Sequence, residues 1–487
     1  MVSITKRMAW SELERHYEKV ANSTLAELFQ LDPTRAKNLC WEFEGLSLDL
    51  SRQRLTPMTV ELLVALAQEA NVEGKRSSMF AGELVNATEG RAALHMALRD
   101  SSGLTGGNAA NLARVQREAM VNFTTAVRRG QETGATGRPF TDVVNIGIGG
   151  SHLGPMMATR ALTPIDASID VHYVANVDGN DLASVLGVVD PERTLFLIAS
   201  KTFTTEETMI NATSAKAWMV SMLGEEAIQK HFVGISNNLD AVRAFGIAPT
   251  RTFSFADWVG GRFSLWSSIG LSIMMAIGPE AFEQLLAGAH LMDKHFATAP
   301  MKGNLPVLMA LTDIWNRSFI NLPAKAVLPY NERLCHLPSY LQQLEMESNG
   351  KSVTQAGKPI SGAVASVVFG MTGTNGQHSF YQLLHQGPAL AAAEFIGISE
   401  PDHNLDGHHD KLLANMLGQA EALALGTDTP ETPHHFCPGN RPSTVILLRR
   451  LDPFHLGMLL GLYEHKIMVE GVVWGINSFD QFGVELG

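Results

Sequence analysis

From residue 142 onward, short runs of β-branched and aromatic residues alternate with segments of helical periodicity. Such runs occupy residues 143–146, 169–174, 194–198 and 232–235, and each is followed by a polar or glycine-rich turn and a helix-like stretch. Strands that alternate with helices favour parallel βαβ units, in which helices cover both faces of a sheet. The sequence therefore predicts an α/β fold with mainly parallel strands.

The alternation pauses and then resumes, which indicates a second domain. Residues 264–295 have helical periodicity with a break at Gly278-Pro279. Strand-like runs return at residues 326–328, 363–369, 394–398 and 444–448. We therefore predict two doubly wound α/β domains, over residues 101–285 and 286–487, the second ending in a helical segment.

The first hundred residues have a different pattern, with mainly helical periodicity. Residues 11–29 place apolar side chains at helical spacing, and Asp32-Pro33 marks a stop and restart. We predict a helical N-terminal region over residues 1–100 that packs on the second domain.

The charge and the cysteine content of the chain limit the kinds of partner and binding site that can be expected. The chain has 37 Lys and Arg against 49 Asp and Glu, a net charge of −12, and no basic run, so neither nucleic acid nor a membrane surface is an expected partner. The three cysteines, Cys40, Cys335 and Cys437, are far apart and form no CxxC pair, which argues against disulfides and thiolate metal sites. Residues 1–20 lack a signal-peptide pattern, and we expect a cytoplasmic protein.

The sharpest local motif follows the first of these strands, at residues 145–155. There Gly147, Gly149 and Gly150 precede Ser151 and a helix start. Glycines let backbone N–H groups face inward at a tight turn, and the helix N-terminus supplies partial positive charge. The motif predicts an anion-binding turn, with a glycine-rich turn that holds no ligand as the alternative. It is not a dinucleotide fingerprint, because a histidine takes that motif's third glycine position.

A second polar turn follows the third strand. It contains Ser200, Lys201, Thr202 and Thr205 at a strand-to-helix junction. Helix capping by the threonines is one interpretation, and phosphate binding is the other. Because ligands of open α/β sheets lie beyond the carboxyl ends of the strands, two such turns in one sheet favour a shared phosphate site.

Glu347 is a candidate general base. It lies in the last turn of segment 341–350, which has the pattern of a helix ending at Gly350 as its C′ residue. A solvated surface glutamate is the alternative. The following Gly350-Lys351-Ser352 is similar to the end of a Walker A motif, but the leading glycine position holds Glu345, so we expect no ATP binding there.

An arginine and a histidine complete the candidates. Arg262 follows Gly260-Gly261 near a helix start, where it suits either an oxyanion or an interface salt bridge. His378 lies in a polar turn between a strand and a helix, where a capping or core histidine is the alternative to a functional one.

In order and context, these motifs resemble the phosphoglucose isomerase family. The matching segments are residues 147–155, 200–208, 260–266, 347–351, 373–381 and 474–487. The resemblance spans roughly residues 140–487, with a compatible helical N-terminal region. It implies two sugar-isomerase (SIS) domains, each an α-β-α sandwich with a mainly parallel sheet, in a homodimer.

The resemblance also implies a substrate site. The residues that would line the phosphate and sugar are Gly150, Ser151, Ser200, Lys201, Thr202, Thr205, Gly261 and Gln343. Glu347 matches the base that carries a proton between C1 and C2, and Arg262 matches the residue that stabilises the cis-enediolate. His378 matches the ring-opening histidine, contributed across the dimer interface, with Glu207 as the carboxylate that orients it.

The implied activity is the reversible isomerisation of glucose 6-phosphate and fructose 6-phosphate, in glycolysis and gluconeogenesis. One carboxylate can take a proton from one carbon and return it to the next, while a positioned cation stabilises the enediolate oxygen. This chemistry requires no redox cofactor and no metal. The paired histidines His408-His409 and His434-His435 also lack the spacing of metal-binding pairs.

Some positions depart from the family pattern. His152 stands where many relatives have aspartate, and Phe482 where many have tryptophan. The family usually continues past the position of Gly487 with a lysine that assists ring opening; no lysine of this sequence is assigned that role, and a chain that ended at Gly487 is expected to open the ring poorly. Two alternatives stay open: a sugar-phosphate-binding regulator without catalysis, and an isomerase of another sugar phosphate.

Overall fold

A computed structural model of the 487-residue chain describes residues 4–427, 432–484 and 486. The described residues form two compact units. The central unit comprises residues 80–83 and 91–290, and the terminal unit comprises the residues up to 79, residues 84–90 and those from 291 onward. Of the C-terminal motif at 474–487, Glu485 and Gly487 lie outside the described residues.

The N-terminal part of the terminal unit is helical, as predicted, but a β-hairpin interrupts it. Its elements are α1 (Met8–Val20), α2 (Leu25–Leu31), α3 (Arg35–Asn38), β1 (Cys40–Phe43), β2 (Leu46–Asp49), α4 (Pro57–Glu69) and α5 (Val72–Phe80). The hairpin turns at Glu44 and Gly45, which have φ of 49° and 83°. The strands are short and the turn lacks the usual Asn-Gly signal, so the sequence analysis missed them.

The helical spacing over residues 11–29 is confirmed, but it belongs to two helices. Helix α1 ends at Val20, and α2 begins after Thr24. The Thr24 side chain accepts from the Glu27 backbone N–H, while the Glu27 carboxylate accepts from the Thr24 N–H. This reciprocal capping box starts a new helix where the apolar spacing alone suggested continuity.

The central unit contains a parallel sheet covered by helices. Its elements are α6 (Ala109–Arg128), β3 (Asp142–Ile146), α7 (Leu153–Leu162), β4 (Asp170–Val174), α8 (Gly179–Leu186), β5 (Thr194–Ala199), α9 (Glu206–Leu223), α10 (Ile228–His231), β6 (Phe232–Ile235), α11 (Leu239–Phe245), β7 (Thr252–Phe253) and α12 (Leu271–Ile277). Every residue of β5 and β6 is buried, as expected of parallel strands covered on both faces. The predicted α/β fold is confirmed here.

The strand order of this sheet places the two polar turns together. The order is β4-β3-β5-β6-β7, so the chain leaves β3 toward one side and later adds β5 on the other. Neighbouring connections diverge between β3 and β5, and this divergence opens a crevice at the carboxyl edge of the sheet. The glycine turn follows β3 and the hydroxyl-rich turn follows β5, so both turns border that crevice.

The rest of the terminal unit adds a second, mixed sheet. Its elements are α13 (Pro279–Thr298), which begins in the central unit, and α14 (Leu305–Ile314), β8 (Ala324–Pro329), α15 (Leu337–Leu341), β9 (Val367–Gly370), α16 (Tyr381–Gln386), β10 (Ala391–Ile398), α17 (His408–Leu425), β11 (Ser443–Leu448) and α18 (Pro453–Trp474). The order is β1-β2-β11-β10-β8-β9, in which β8 to β11 are parallel and the hairpin is antiparallel.

The strand predicted over residues 363–369 begins later than expected, at Val367. The preceding carbonyls are used by side chains instead of a strand ladder, since Ser318 donates to Ala363 O and Arg317 to Ala365 O. Ala365 also has a φ of 49°, outside the β region.

One face of the second sheet packs on α16 and α17 through apolar residues, whereas the other face carries buried charge. Lys325 on β8 and Glu394 on β10 are both 2% exposed. They belong to a buried ion cluster that draws on α14, α18 and the helical segment after α15. Its members are Asp313, Lys325, Glu345, Glu394, Lys466 and Glu470.

The cluster holds more carboxylates than ammonium groups. The Lys325 Nζ lies 2.9 Å from Asp313, 2.7 Å from Glu345 and 3.1 Å from Glu394. Although burial alone would raise it, the pKa of Asp313 is lowered to about 2 by Lys325 and Lys466. Burial raises the pKa of Glu470 to about 7 against the attraction of Lys466. The cluster therefore limits its excess negative charge by retaining protons.

We expect Glu470→Gln to change how stability depends on pH. The folded protein holds the Glu470 proton up to about pH 7, whereas the unfolded chain releases it near the ordinary value of 4.5. Rising pH in this window therefore favours the unfolded state, and Glu470→Gln removes that titration. The unfolding free energy of the wild type should fall relative to the variant by about 2 kcal/mol between pH 5 and pH 8. Denaturant titrations of both proteins across this range measure the difference in unfolding free energy. If the unfolding free energies of the wild type and the variant changed with pH in parallel, Glu470 would already be ionised at pH 5.

Candidate active site

The glycine turn after β3 is shaped by close backbone approach. An added Cβ on Gly147 would lie 2.9 Å from the carbonyl oxygen of Ala199, the last residue of β5, so a side chain here would push the two turns apart. The buried Asn145 amide donates to the Ser151 carbonyl at 3.1 Å and fixes the end of the turn. The Ser151 hydroxyl lies immediately before α7, where backbone N–H groups point outward.

The same turn lies directly against the arginine motif. An added Cβ on Gly150 would stand 2.1 Å from the Gly261 carbonyl oxygen and 2.8 Å from the Arg262 nitrogen. Only glycine allows this contact between two backbones, because any Cβ requires the facing chain to move. The structure therefore brings Gly150, Ser151, Gly261 and Arg262 together.

The turn after β5 presents hydroxyls at the start of an 18-residue helix. Ser200 and Thr205 hydroxyls lie 3.1 Å apart, and the Phe203 N–H donates to Ser200 Oγ at 3.1 Å. Thr202 is exposed and accepts at 2.7 Å from Thr204. Phe203 has a φ of 56°, an uncommon conformation that turns the loop back on itself. Hydroxyls next to the N–H groups of a helix start form a suitable binding site for a phosphate.

The helix-capping interpretation of Thr205 is wrong. Thr205 occupies the N-cap position of α9, but its side chain accepts no hydrogen bond from the helix. Its hydroxyl faces Ser200 instead. The N–H groups of the first turn of α9 therefore gain nothing from this side chain.

Lys201 links the hydroxyl-rich turn to the arginine motif. Its ammonium donates to the backbone carbonyls of Asp257 at 3.1 Å and Val259 at 3.4 Å, immediately before Gly260. The side chain is about one-third exposed. Its charge therefore lies at the junction of the two segments.

Aromatic stacking supports the buried arginine. Arg262 is 2% exposed. The His95 ring stacks on Phe263 with centroids 4.6 Å apart, and the Arg99 guanidinium lies 4.5 Å from the centroid of Trp266. These contacts hold the segment that directly follows Arg262. The sequence analysis did not find His95 and Arg99, because no local pattern connects them to residues 262–266.

Glu347 is carried by an unusual helical segment of the terminal unit. Helix α15 continues as a π-helix over Gln342–Glu347, a form found mostly as single turns and often at functional sites. Gln343 and Glu347 both belong to it and are half-buried. The Gln343 Oε1 atom is buried and has no hydrogen-bond partner among the described residues, so it is available to a ligand.

The helix ends immediately before Gly350, as predicted, but Gly350 lacks the left-handed conformation that is usual for a C′ glycine. Its φ is not positive, and its N–H donates to the Met346 carbonyl at 2.9 Å, which continues the helical pattern. An added Cβ would lie 2.3 Å from that same oxygen. Glycine is needed here for space, not for handedness.

Glu347 borders a cleft of about 530 Å³ within the terminal unit. The walls come from the end of the helix that carries Glu347, the following loop, Thr88 and the C-terminal segment. Residues that the sequence analysis did not assign to the site include Thr88, Lys351, Asn477, Asp480 and Gln481. They come from distant parts of the chain. Lys351 lies in the 347–351 motif and Asn477, Asp480 and Gln481 in the C-terminal motif, whereas Thr88 lies in no motif.

His378 is presented on a separate turn of the terminal unit. It ends a short 3₁₀ helix, Asn375–His378, and is exposed, so it is neither a core residue nor an N-cap. The preceding Gln377 accepts a hydrogen bond from the buried Tyr330 hydroxyl at 3.0 Å. The turn is therefore anchored to the sheet while its histidine faces outward.

Comparisons with known proteins identify the family of this chain. A family model described as phosphoglucose isomerase matches residues 49–487. The chain belongs to the phosphoglucose isomerase family. Glucose-6-phosphate isomerase of Roseiflexus sp. (strain RS-1) is 49% identical, covering 100% of this chain and 93% of that protein. Glucose-6-phosphate isomerase of Burkholderia multivorans is 51% identical, covering 98% of this chain and 92% of that protein.

The full length of this chain also matches the fold of a solved structure. The crystal structure of a glucose-6-phosphate isomerase from Chlamydia trachomatis has a TM-score of 0.90 and 33% identity. The match covers 100% of this chain and 94% of that chain.

The candidate residues fall into two sets. The central unit holds the polar turns, Arg262 and Glu207, which lies in the first turn of α9. The terminal unit holds Gln343, Glu347 and His378. Within residues 4–427, 432–484 and 486, no three His, Cys, Asp or Glu side chains are arranged to hold a metal ion. Across the same residues, no helix is both long and apolar enough to span a membrane.

We expect Gly150→Ala to weaken the binding of a phosphorylated sugar. The new methyl group must displace the Gly261–Arg262 backbone, and a shift of about 1 Å can cost about 100-fold in a well-oriented site. Gly179→Ala is the matched control, since no atom lies within 4 Å of its added Cβ. Calorimetric titration with 6-phosphogluconate measures both affinities. Equal affinities for the two variants would refute the steric role of Gly150.

Proposed function

We propose that this chain interconverts glucose 6-phosphate and fructose 6-phosphate. The observation that carries the proposal is the anion site of the central unit, where two strand-end turns meet beside a buried arginine. Membership of the phosphoglucose isomerase family supports it. The reaction requires an anchor for the phosphate, a cation for the enediolate and a base, and the chain supplies candidates for each.

The phosphate is bound by hydroxyls and backbone amides. Ser151, Ser200, Thr202 and Thr205 supply the hydroxyls, and Lys201 supplies positive charge. These groups lie at the start of α7 and α9, where the helix dipoles favour an anion. A net charge of −12 makes such local donors necessary, since the protein as a whole repels anions.

Glu347 acts as the base that moves a proton between two carbons. Its carboxylate takes the proton from C2 of open-chain glucose 6-phosphate, which forms the cis-enediolate. It then delivers a proton to C1, as the hydroxyl proton on O2 passes to O1 and a carbonyl forms at C2. Arg262 stabilises the negative oxygen of the intermediate, and Gln343 and Gly261 position the sugar.

His378 opens the sugar ring, with Glu207 as the carboxylate that orients it. The histidine is contributed by the second subunit of a homodimer, which agrees with its exposure in a single chain. The two sets of residues then belong to two SIS domains, over residues 101–285 and 286–487, with the N-terminal region on the second. A metabolic role in glycolysis and gluconeogenesis places the enzyme in the cytoplasm.

We expect Glu347→Gln to lower the turnover number by about 10²–10⁴-fold, the usual contribution of a general base. The affinity for a sugar phosphate should change little, because the amide keeps the size of the carboxyl group. The assay is the conversion of fructose 6-phosphate in EDTA, coupled to glucose-6-phosphate dehydrogenase and NADP. Glu61→Gln, on an exposed glutamate of α4, is the control. Turnover retained in Glu347→Gln would remove this residue from the base role.

Mixing two impaired variants tests the shared site. Glu347→Gln and His378→Ala each disable every site of their own dimer. In a hybrid dimer, one site receives both damaged residues and the other receives both intact ones. An equimolar mixture that exchanges subunits should therefore recover about a quarter of wild-type activity. If subunit exchange is verified and no activity returns, His378 acts on the site of its own subunit.

A further inference from the structure

Lys351 has no role in the proposed reaction, yet it contacts the segment that carries the base. Its Nζ donates to the Glu347 backbone carbonyl at 2.9 Å and to the Asp480 carbonyl at 2.6 Å. The Asp480 carboxylate lies 2.9 Å from the same nitrogen. The lysine side chain is 16% exposed and the aspartate 7%, so the contacts are largely shielded from water.

The position suits a cation that terminates a helix. The last carbonyls of a helix lack partners within it, and they form the negative end of its dipole. The Lys351 ammonium donates a hydrogen bond to the carbonyl of Glu347 itself, four residues earlier in the chain. The contact therefore restrains the backbone of the residue whose side chain borders the cleft.

Asp480 is in turn fixed by neighbours from two segments. Its Oδ2 accepts from the Thr88 hydroxyl at 2.5 Å and from the Asn477 amide at 2.9 Å. The Asn477 amide also donates to Asn86 at 2.8 Å. The ammonium therefore joins the helix end to a preorganised network rather than to a mobile side chain.

The joined parts are the walls of one cleft. Glu347, Lys351 and Asp480 all line the cavity of about 530 Å³, together with the C-terminal segment that follows Asp480. A change in the distance between the helix end and this segment would change both the width of the cleft and the direction of the Glu347 carboxylate.

We infer that Lys351 is a positioning residue for proton transfer, whose ammonium ties the end of the base-bearing helix to the C-terminal segment and so fixes Glu347 in the cleft. This inference rests on the proposed role of Glu347 as the base. Lys351 does not exchange a proton with the sugar. It acts through the backbone of Glu347.

The experiment is Lys351→Met, studied with glucose 6-phosphate carrying hydrogen or deuterium at C2. A misplaced base should lower kcat by about 100-fold and change KM by less than about threefold. The isotope effect on kcat should rise, because removal of the C2 proton becomes rate-limiting. A loss of folded enzyme alone would lower apparent kcat and leave the isotope effect unchanged. An unchanged isotope effect, or a kcat within about twofold of wild type, would overturn the inference.

Matched variants separate positioning from general damage. Lys302→Met removes a lysine from an exposed ion pair with Glu61 in the same unit and should leave the kinetics unchanged. Asp480→Asn keeps the side-chain volume and removes one charge of the contact. It should lower kcat and raise the isotope effect, as Lys351→Met does, but by smaller amounts. If thermal melts show that Lys351→Met is unfolded, Asp480→Asn serves as the test variant in its place.

A double variant tests whether Lys351 acts through the base. In the Glu347→Gln background, Lys351→Met should cause no further loss of residual turnover, whereas independent effects would multiply. If the wild-type chain does not isomerise the sugar, the proposed function fails. If it does and Glu347→Gln retains turnover, the base role of Glu347 fails, and this inference fails with it. If both hold and the lysine variants behave as wild type, this inference alone fails.

Discussion

A lysine in the middle of a buried sheet determines how the terminal unit is built. Lys325 is 2% exposed, and its ammonium is paired with Asp313, Glu345 and Glu394 within 3.1 Å. Leaving one partner of such a group unpaired costs about 3–5 kcal/mol, comparable to a large share of the stability of a whole domain. The strand, helix α14 and the π-helix must therefore keep one arrangement. The sheet, the helices and the segment that carries Glu347 are joined through a single nitrogen.

The central unit achieves its arrangement by different means. One face of its sheet packs on a purely apolar cluster, and strand order alone places two turns at one crevice. Close backbone contacts then fix the details, as at Gly150 against Gly261 and Gly147 against Ala199. Because the candidate anion site at these two turns consists largely of backbone and hydroxyl groups, it offers many hydrogen-bond donors while burying little charge. That suits a phosphate, whose charge is best met by several aimed donors.

How much the sequence could predict depended on whether the information was local. The β-branched runs specified the parallel strands, and the glycines and hydroxyls specified the polar turns, since each signal lies within about ten residues. The hairpin at β1 and β2 was missed because its strands are short and gain their place by pairing with β11. Lys351 and Asp480 meet across 129 positions of sequence, a contact that no local pattern encodes. The π-helix was also invisible, because its sequence has ordinary helical spacing.

The placement of Glu347 explains why a costly ion cluster and a strained helical form occur together. On the buried side, Lys325 and Lys466 hold Glu345, two residues before Glu347. On the cleft side, Lys351 holds the carbonyl of Glu347 itself. Both anchored residues belong to the π-helix Gln342–Glu347, whose wider turn is poorly favoured unless the surroundings enforce it. Two sets of cations thus hold the end of this helix from opposite sides, and the Glu347 side chain leaves a backbone path that an ordinary helix would not follow.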